Sequence, residues 1–433
     1  MISTYSSPTL DLDALSLSTW KARLLYWASQ YPYVTFLDNC QSDVDRYGRF
    51  ECLLGVARAD AQILTTWEAL TQSPERWKLG VLPYDLKNVM EPKLDTQHEV
   101  EVTFPEVAFF VPDMVIGIER DSLEVKVLHQ SREEEIVWEH MEAQGEAIQQ
   151  QAQSFIQPSL SFESLTDRSQ YLNQIRQLQR HIVEGDCYEV NLAQAFVAEG
   201  QLVDPVGSFL KLKALSPVPF AAFVKWKDRY ILSASPERFL QLKDDSLLSQ
   251  PIKGTAPRSK DPKKDQAHKA YLESSIKEQA ENVMIVDLTR NDLHRSCKTG
   301  SVHVPYLFEI QHFPQVFQMV STVVGEKKAS VSTFEALEHT FPPGSMTGAP
   351  KFRTMEIIDE IEPTARGVYA GSIGYFDPTG DFDLNVVIRS LVYDADQGQL
   401  AYHVGGAITY DSDPEAEYEE TLIKARALKA VFG

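Results

Sequence analysis

A chain of 433 residues, 43% hydrophobic and 24% charged, has the make-up of an ordinary soluble globular protein, long enough for two or three domains or one large intertwined α/β body. Its 41 Lys and Arg against 62 Asp and Glu give a formal charge of −21, which argues against nucleic acid as a partner and requires any anionic substrate to be held by basic residues gathered locally. No apolar run reaches the about 18 residues of a membrane span, Met1 to Asp13 lacks both parts of a signal peptide, and Cys40, Cys52, Cys187 and Cys297 form no CxxC pair, so the chain reads as cytoplasmic with reduced thiols.

Taken in order, Ser18 to Gln30 carries Trp20, Leu24 and Trp27 at helical spacing behind a Ser/Thr cap, which predicts an amphipathic helix. Val34 to Asp38 and Phe50 to Arg58 predict strands around a polar turn, and the Pro-rich, charged residues 74 to 106 show no clear period. Val107 to Ile118 and Leu123 to Leu128 predict a hairpin turning at Asp121-Ser122. Glu133 to Gln153 is rich in helix formers and is broken by Gln157-Pro158-Ser159, the best boundary candidate; it sets off a strand-rich N-terminal portion, residues 1–150. Beyond it come a helix from Ser169 to Glu184 ending at Gly185, a strand from Tyr188 to Val197, a short helix from Pro205 to Leu215 and a hairpin of Phe220 to Trp226 with Tyr230 to Ala234. Asp265 to Leu293 is mostly helical, Pro314 to Val324 reads as a strand, and Phe334 to Thr340 as a short helix. A helix after the loop Pro342 to Lys351 runs to about Glu360, with Pro350 in its first turn. Strands at Val368 to Phe376, Leu384 to Tyr393 and Leu400 to Val404 precede a final helix from Asp413 to Val431.

Several stretches could carry chemistry. Lys253 sits between Pro251-Ile252 and Gly254, punctuation that either pins a partly desolvated lysine able to lose its proton near neutral pH or simply makes a surface turn. Glu278 and Glu281, and likewise Glu417 and Glu420, are pairs three apart on helical stretches. Two such faces brought together would offer carboxylate oxygens to a divalent cation such as Mg²⁺; apart, they are solvated surface glutamates, and Lys424 one turn after Glu420 is equally open. Glu237, just after a strand, is either a general acid with a raised pKa or a turn glutamate paired with Arg238. The loop Gly344 to Lys351 has residues that let backbone N–H groups face an anion, without matching a P-loop. Arg389 and Gly405-Gly406 are further candidates for holding a carboxylate.

Five segments fall into one ordered pattern: Ser235-Pro236-Glu237-Arg238-Phe239, Pro251-Ile252-Lys253-Gly254-Thr255, Ala280-Glu281-Asn282 through Asp287 to Asp292, Gly344 to Lys351, and Asp411-Ser412-Asp413-Pro414-Glu415 through Glu420-Thr421. On these segments the chain resembles the chorismate-utilising enzymes, and among them the aminodeoxychorismate synthase branch, over about residues 165–430 and less closely over the N-terminal portion. The resemblance implies a mixed α/β (α+β) body of two packed sheets flanked by helices, with residues 165–430 as the chorismate-binding catalytic domain. It implies Mg²⁺ held by Glu281 and Glu420 with Glu278 and Glu417 beside them, and Glu237 as the acid that protonates the departing 4-hydroxyl. It also implies substrate contacts from Thr255, Tyr369, Arg389, Lys424 and the Gly405-Gly406 backbone. Lys253, alanine in the similar anthranilate synthases, is implied as the nucleophile that adds to C2 before ammonia adds at C4. The implied partner is a separate glutamine amidotransferase subunit that supplies ammonia. Anthranilate synthase component I activity and a non-catalytic chorismate- or tryptophan-binding subunit are the alternatives, and a tryptophan held in the N-terminal portion is left open. Three positions depart from the pattern: Glu189 stands where aminating branches usually have glutamine, Gln318 where anthranilate synthases have histidine, and Ala407 where a third glycine is common.

Overall fold

The structure, a computed structural model, describes residues 17–96, 98–132, 137–154 and 159–432. Met1 to Asp13, the first residues of the helix expected from Glu133, and Gln157-Pro158 of the expected boundary lie outside the described residues. The expected first helix runs Leu17–Ala28, burying Trp20, Leu24 and Trp27 on the face that the spacing assigns to the core. The helix Arg168–Glu184 ends at left-handed Gly185, as the sequence suggested, and is closed at its start by a capping box of Asp167 and Gln170.

Among the described residues the strands form two antiparallel sheets, one of eleven strands and one of ten. Their facing sides share a core of Tyr33, Leu53, Trp226 and Ile231 from one sheet with Leu79, Val81, Phe110, Ile373 and Tyr375 from the other. Helices Leu17–Ala28, Trp138–Gln153 and Pro205–Leu215 cover the outer face of the larger sheet through Trp20, Trp138 and Phe209. Val286 and Leu293 of the helix Ile276–Ser296 pack on the outer face of the smaller one. The architecture is the mixed α/β body of two packed sheets with flanking helices. Strands from the N-terminal portion lie in both sheets: Tyr33–Asp38 pairs with Phe220–Trp226, and Lys78–Leu82 with Ser372–Phe376.

Several expected elements are divided, each for a local reason. The strand expected over Val107 to Ile118 is two, Ala108–Phe110 in the smaller sheet and Met114–Glu119 in the larger, parted at Pro112, which has no N–H for a ladder. The strand expected over Leu384 to Tyr393 is likewise Phe382–Asn385 and Ser390–Asp394, in different sheets, with Arg389 between them at φ +53°. The helical stretch from Asp265 breaks at Ser275, whose extended backbone and side chain cap Ile276–Ser296 after Pro262–Ser274. The final helix is Pro414–Lys424 followed by Arg426–Ala430, and Pro350 is the residue before the helix Lys351–Ile361, not within its first turn. The exposed strand His303–His312 escaped the sequence because its register shifts twice along its neighbour and breaks the alternating period.

Candidate active site

The site grows from the places where the chain passes between sheets. Arg229–Ser235 lies in the larger sheet and Arg238–Lys243 in the smaller, so Pro236-Glu237 is a crossover, and residues 386–389 are a second one beside it. The two are tied by Val386 N–H to the Glu237 carbonyl at 3.0 Å and Ala234 N–H to the Arg389 carbonyl at 3.2 Å. Glu237 is 4% exposed and accepts a hydrogen bond from Ser345 Oγ at 2.6 Å. Burial pushes its carboxyl up to about 7, outweighing that hydrogen bond and the nearby cations Lys253 and Arg389. The pairing of Glu237 with Arg238 does not occur. The Arg238 guanidinium is instead buried among Asp45, Asp383 and Gln250. The guanidinium of half-buried Arg389 has no hydrogen-bond or ion-pair partner among the described residues, and burial lowers its pKa. A cation in that condition suits an incoming carboxylate.

Lys253 lies on the strand Ile252–Pro257 at the edge of the smaller sheet. The register shifts between Ile252 and Thr255, so the Pro/Gly punctuation makes a bulge, with Gly254 at φ +90°, and not a surface turn. Lys253 is 8% exposed, and its Nζ stands 2.6 Å from Glu189 Oε1. Burial by itself lowers a lysine pKa, but Glu189, then Glu281 and Glu237, outweigh it and the result is raised. The expectation that desolvation frees this amine near neutral pH is therefore corrected: an acidic neighbour holds it as ammonium. Glu189 opens the strand Glu189–Glu199 in the larger sheet, paired with Gly348–Ala349. A Cβ on Gly348 would lie 2.1 Å from the Glu189 carbonyl oxygen, so only glycine permits that approach. Glu189 is 1% exposed, and its Oε2 has no hydrogen-bond partner.

The acidic pairs are brought to the same region. A Cβ on Gly254 would lie 2.9 Å from Glu278 Oε2, and one on Gly406 would lie 3.5 Å from Glu417 Oε2 and 3.8 Å from Glu420 Oε1. Lys277 Nζ, 3.8 Å from both Glu281 Oε1 and Glu417 Oε1, links the helices Ile276–Ser296 and Pro414–Lys424. Burial raises the pKa of Glu278, Glu417 and Glu281, the last to about 7, whereas Lys424 lowers that of Glu420. Carboxylates gathered between two helices, three of them pushed by burial toward the neutral form, make a donor set that fits a hard divalent cation. Among the described residues the four do not draw together as closely as His181, Glu184 and Asp186, a surface group in which Asp186 is already paired with His181 and Arg353.

The remaining candidates separate by environment. Lys424 donates to the Gly405 carbonyl at 2.8 Å and pairs with Glu420 at 2.7 Å. Gly405 is required by packing, since a Cβ there would sit 2.3 Å from the Leu192 carbonyl oxygen, while Gly406 borders the acidic cluster. Tyr369 is buried and stacked on His403 with centroids 5.2 Å apart, and Thr255 is exposed.

A model of the chorismate binding enzyme family matches residues 24–430. The chain belongs to this family. Aminodeoxychorismate synthase component 1 of Klebsiella aerogenes is 39% identical over 351 residues, which cover 81% of this chain and 76% of that protein. The chloroplastic aminodeoxychorismate synthase of Arabidopsis thaliana is 38% identical over 366 residues, 81% of this chain and 39% of that protein, so the chain spans well under half of the plant relative. The crystal structure of anthranilate synthase component I from Streptococcus pneumoniae TIGR4 superposes with a TM-score of 0.70 at 29% identity, covering 81% of this chain and 80% of that one. The chain is thus an aminodeoxychorismate-synthase-like, chorismate-utilising enzyme. No described helix is long and apolar enough to cross a membrane.

In this chorismate-binding chain, sequence reasoning missed the groups that hold the site in shape. Ser345 lies in the loop singled out for anions, yet its hydroxyl serves Glu237. Lys351 Nζ closes that loop through Asp292 at 2.6 Å and the carbonyls of Thr340 and Pro342. The buried pair Arg366 and Glu362 clamps the Glu189–Glu199 strand: Arg366 donates to the Asn191 and Met346 carbonyls, and Glu362 accepts from Ala193 N–H. Apart from Glu362, four residues from Arg366, these partners lie 9 to 175 residues apart, so no local spacing announces them.

Proposed function

We propose that this chain aminates chorismate at C4, giving 4-amino-4-deoxychorismate, with ammonia supplied by a glutamine amidotransferase partner. The observation that carries the reading is Lys253: a lysine buried on a bulged edge strand, in electrostatic reach of Glu237, whose carboxyl burial pushes up to about 7. Lys253 adds through Nζ to C2 of chorismate while Glu237 gives its proton to the 4-hydroxyl, which leaves as water. Ammonia then bonds to C4, the C2–N bond breaks, and its electron pair returns to Lys253. Arg389, Tyr369, Thr255, Lys424 and the Gly405-Gly406 backbone hold the substrate carboxylates, for which Lys424 gives up Glu420. Glu281 and Glu420, with Glu278 and Glu417 beside them, would hold Mg²⁺, which when bound draws charge from the ring carboxylate. We extend the reading to a tryptophan in a separate cavity bordered by Leu37, Phe50, Phe220 and Tyr375, where aromatic walls suit an indole ring.

The test supplies chorismate, ammonia and Mg²⁺, then a separate lyase. The product is expected to become 4-aminobenzoate only after the lyase is added, and Lys253→Ala is expected to lose most of the amination. A chorismate-derived adduct on Lys253, trapped and read by mass spectrometry, supports the covalent step. Fluorescent anthranilate appearing without the lyase would overturn the reading in favour of anthranilate synthesis.

A further inference from the structure

An ammonium has no lone pair, so Lys253 must lose a proton before it can form a bond to carbon. Bulk solvent is poorly placed to take that proton, because Lys253 is 8% exposed and Glu189 1%. Glu189 Oε1 is in direct contact with Nζ at 2.6 Å, while Oε2 lies buried without a hydrogen-bond partner. A carboxylate with one oxygen on the amine and the other without a hydrogen-bond partner has the geometry and the free lone pairs to accept a proton from it. The glutamine usual at this position in the aminating enzymes that the chain resembles could not accept one.

We propose that Glu189 is the base that takes the proton from Lys253 and so makes it the nucleophile. The inference rests on the amination reading above. In the first step the proton passes from Nζ to Oε1, turning an ammonium–carboxylate pair into an amine beside a carboxylic acid. The pair carries no net charge before or after, so the transfer strands no charge in the buried site. The amine lone pair then forms the N–C2 bond as Glu237 protonates the leaving hydroxyl, which leaves a secondary ammonium on Lys253 and a carboxylate on Glu237. After ammonia has bonded to C4 and the C2–N bond has broken, Glu189 returns its proton to the freed amine. The new C4 ammonium gives one proton back to Glu237. The sum is chorismate plus ammonia to aminodeoxychorismate plus water, with both acids restored.

The experiment measures amination by the unsubstituted enzyme, Glu189→Gln and Glu189→Ala with chorismate, ammonia and Mg²⁺, with and without formate. Glu189→Gln keeps the side-chain shape and is expected to lower kcat by about 10²- to 10⁴-fold while KM for chorismate changes far less. Glu189→Ala is expected to fall similarly and to regain part of its rate with formate, which supplies a carboxylate in the space opened; Glu189→Gln, its space filled, should not respond. A Glu189→Gln enzyme as fast as the unsubstituted one or faster overturns the proposal, as does a Glu189→Ala loss that formate leaves untouched. Absence of ammonia-dependent product from the unsubstituted enzyme overturns the amination reading itself, a result seen in a different sample.

Discussion

Burial prepares Glu237 for acid work: its carboxyl titrates near about 7, so at neutral pH a large share carries the proton that a departing hydroxyl needs. The direction of the pH effect follows. The protonated form is present below that value and is lost above it, so at a fixed concentration of free ammonia kcat/KM for chorismate should fall as pH rises from about 7 to 8.5. Lys253 adds no opposing limb when its proton stays within the Glu189 pair, because the pair holds the same number of protons before and after transfer. Glu237→Gln should lie about 10²-fold lower or more and lose that limb, checked by initial rates across the pH series. A profile flat through pH 8.5 would remove Glu237 as the acid. Composition and motif picked out Glu237 and Lys253, but neither could reveal that Ser345 is hydrogen-bonded to the one or that Glu189 raises the pKa of the other.

Edge strands and crossovers, more than helices, set the geometry of the site. The bulge at Lys253-Gly254 fixes the lysine at the end of one sheet, and the Gly348–Ala349 pairing fixes Glu189 near the edge of the other. At Gly348 the strand Gly348–Ala349 lies close against the Glu189 backbone. Gly348→Ala would drive a methyl group into the Glu189 backbone, so the strand must shift. The expected cost is about 1–3 kcal/mol of stability. A fall in amination larger than the fall in folded fraction at the assay temperature should accompany it, since Glu189 moves with the strand. Thermal unfolding and kcat measured on one preparation check this, and unchanged values for both would show that the approach is less tight than described. The two acidic helices were legible from spacing, because residues three apart share a helix face. Their meeting was not, since 136 residues separate Glu281 from Glu417 along the chain.

Across the whole molecule, early and late strands are interleaved. Tyr33–Asp38 is hydrogen-bonded to Phe220–Trp226 over six residue pairs, and Arg238 ties Asp45 of the N-terminal portion to Asp383. The cavity proposed for tryptophan lies at this joint, lined by Leu37 and Phe50 from one side and Phe220 and Tyr375 from the other. An occupant there stabilises the fold by mass action, by about 2.7 kcal/mol at a hundred times its Kd. Tryptophan should therefore raise the melting temperature in a concentration-dependent way. No shift at millimolar tryptophan would remove that ligand from the proposal. The net charge of −21 leaves anion binding to a few local cations such as Arg389, whose guanidinium stands without a hydrogen-bond partner among the described residues.

The sequence by itself determined the helices with apolar spacing and good caps, most strands, and the residue types of the site with their order along the chain, because periodicity, capping and motif are local properties. It placed the four glutamates on helices and Glu237 just after a strand, but had Arg389 within a strand and Lys253 in unassigned Pro/Gly punctuation. Only the tertiary structure decided where strands change sheets, that Lys253 rests as an ammonium against Glu189, and that Arg238 belongs to Asp45 and Asp383 instead of Glu237. Each of these depends on burial and on partners distant in sequence. The charge state of a buried group is set by what surrounds it, and that is assembled only when both sheets close.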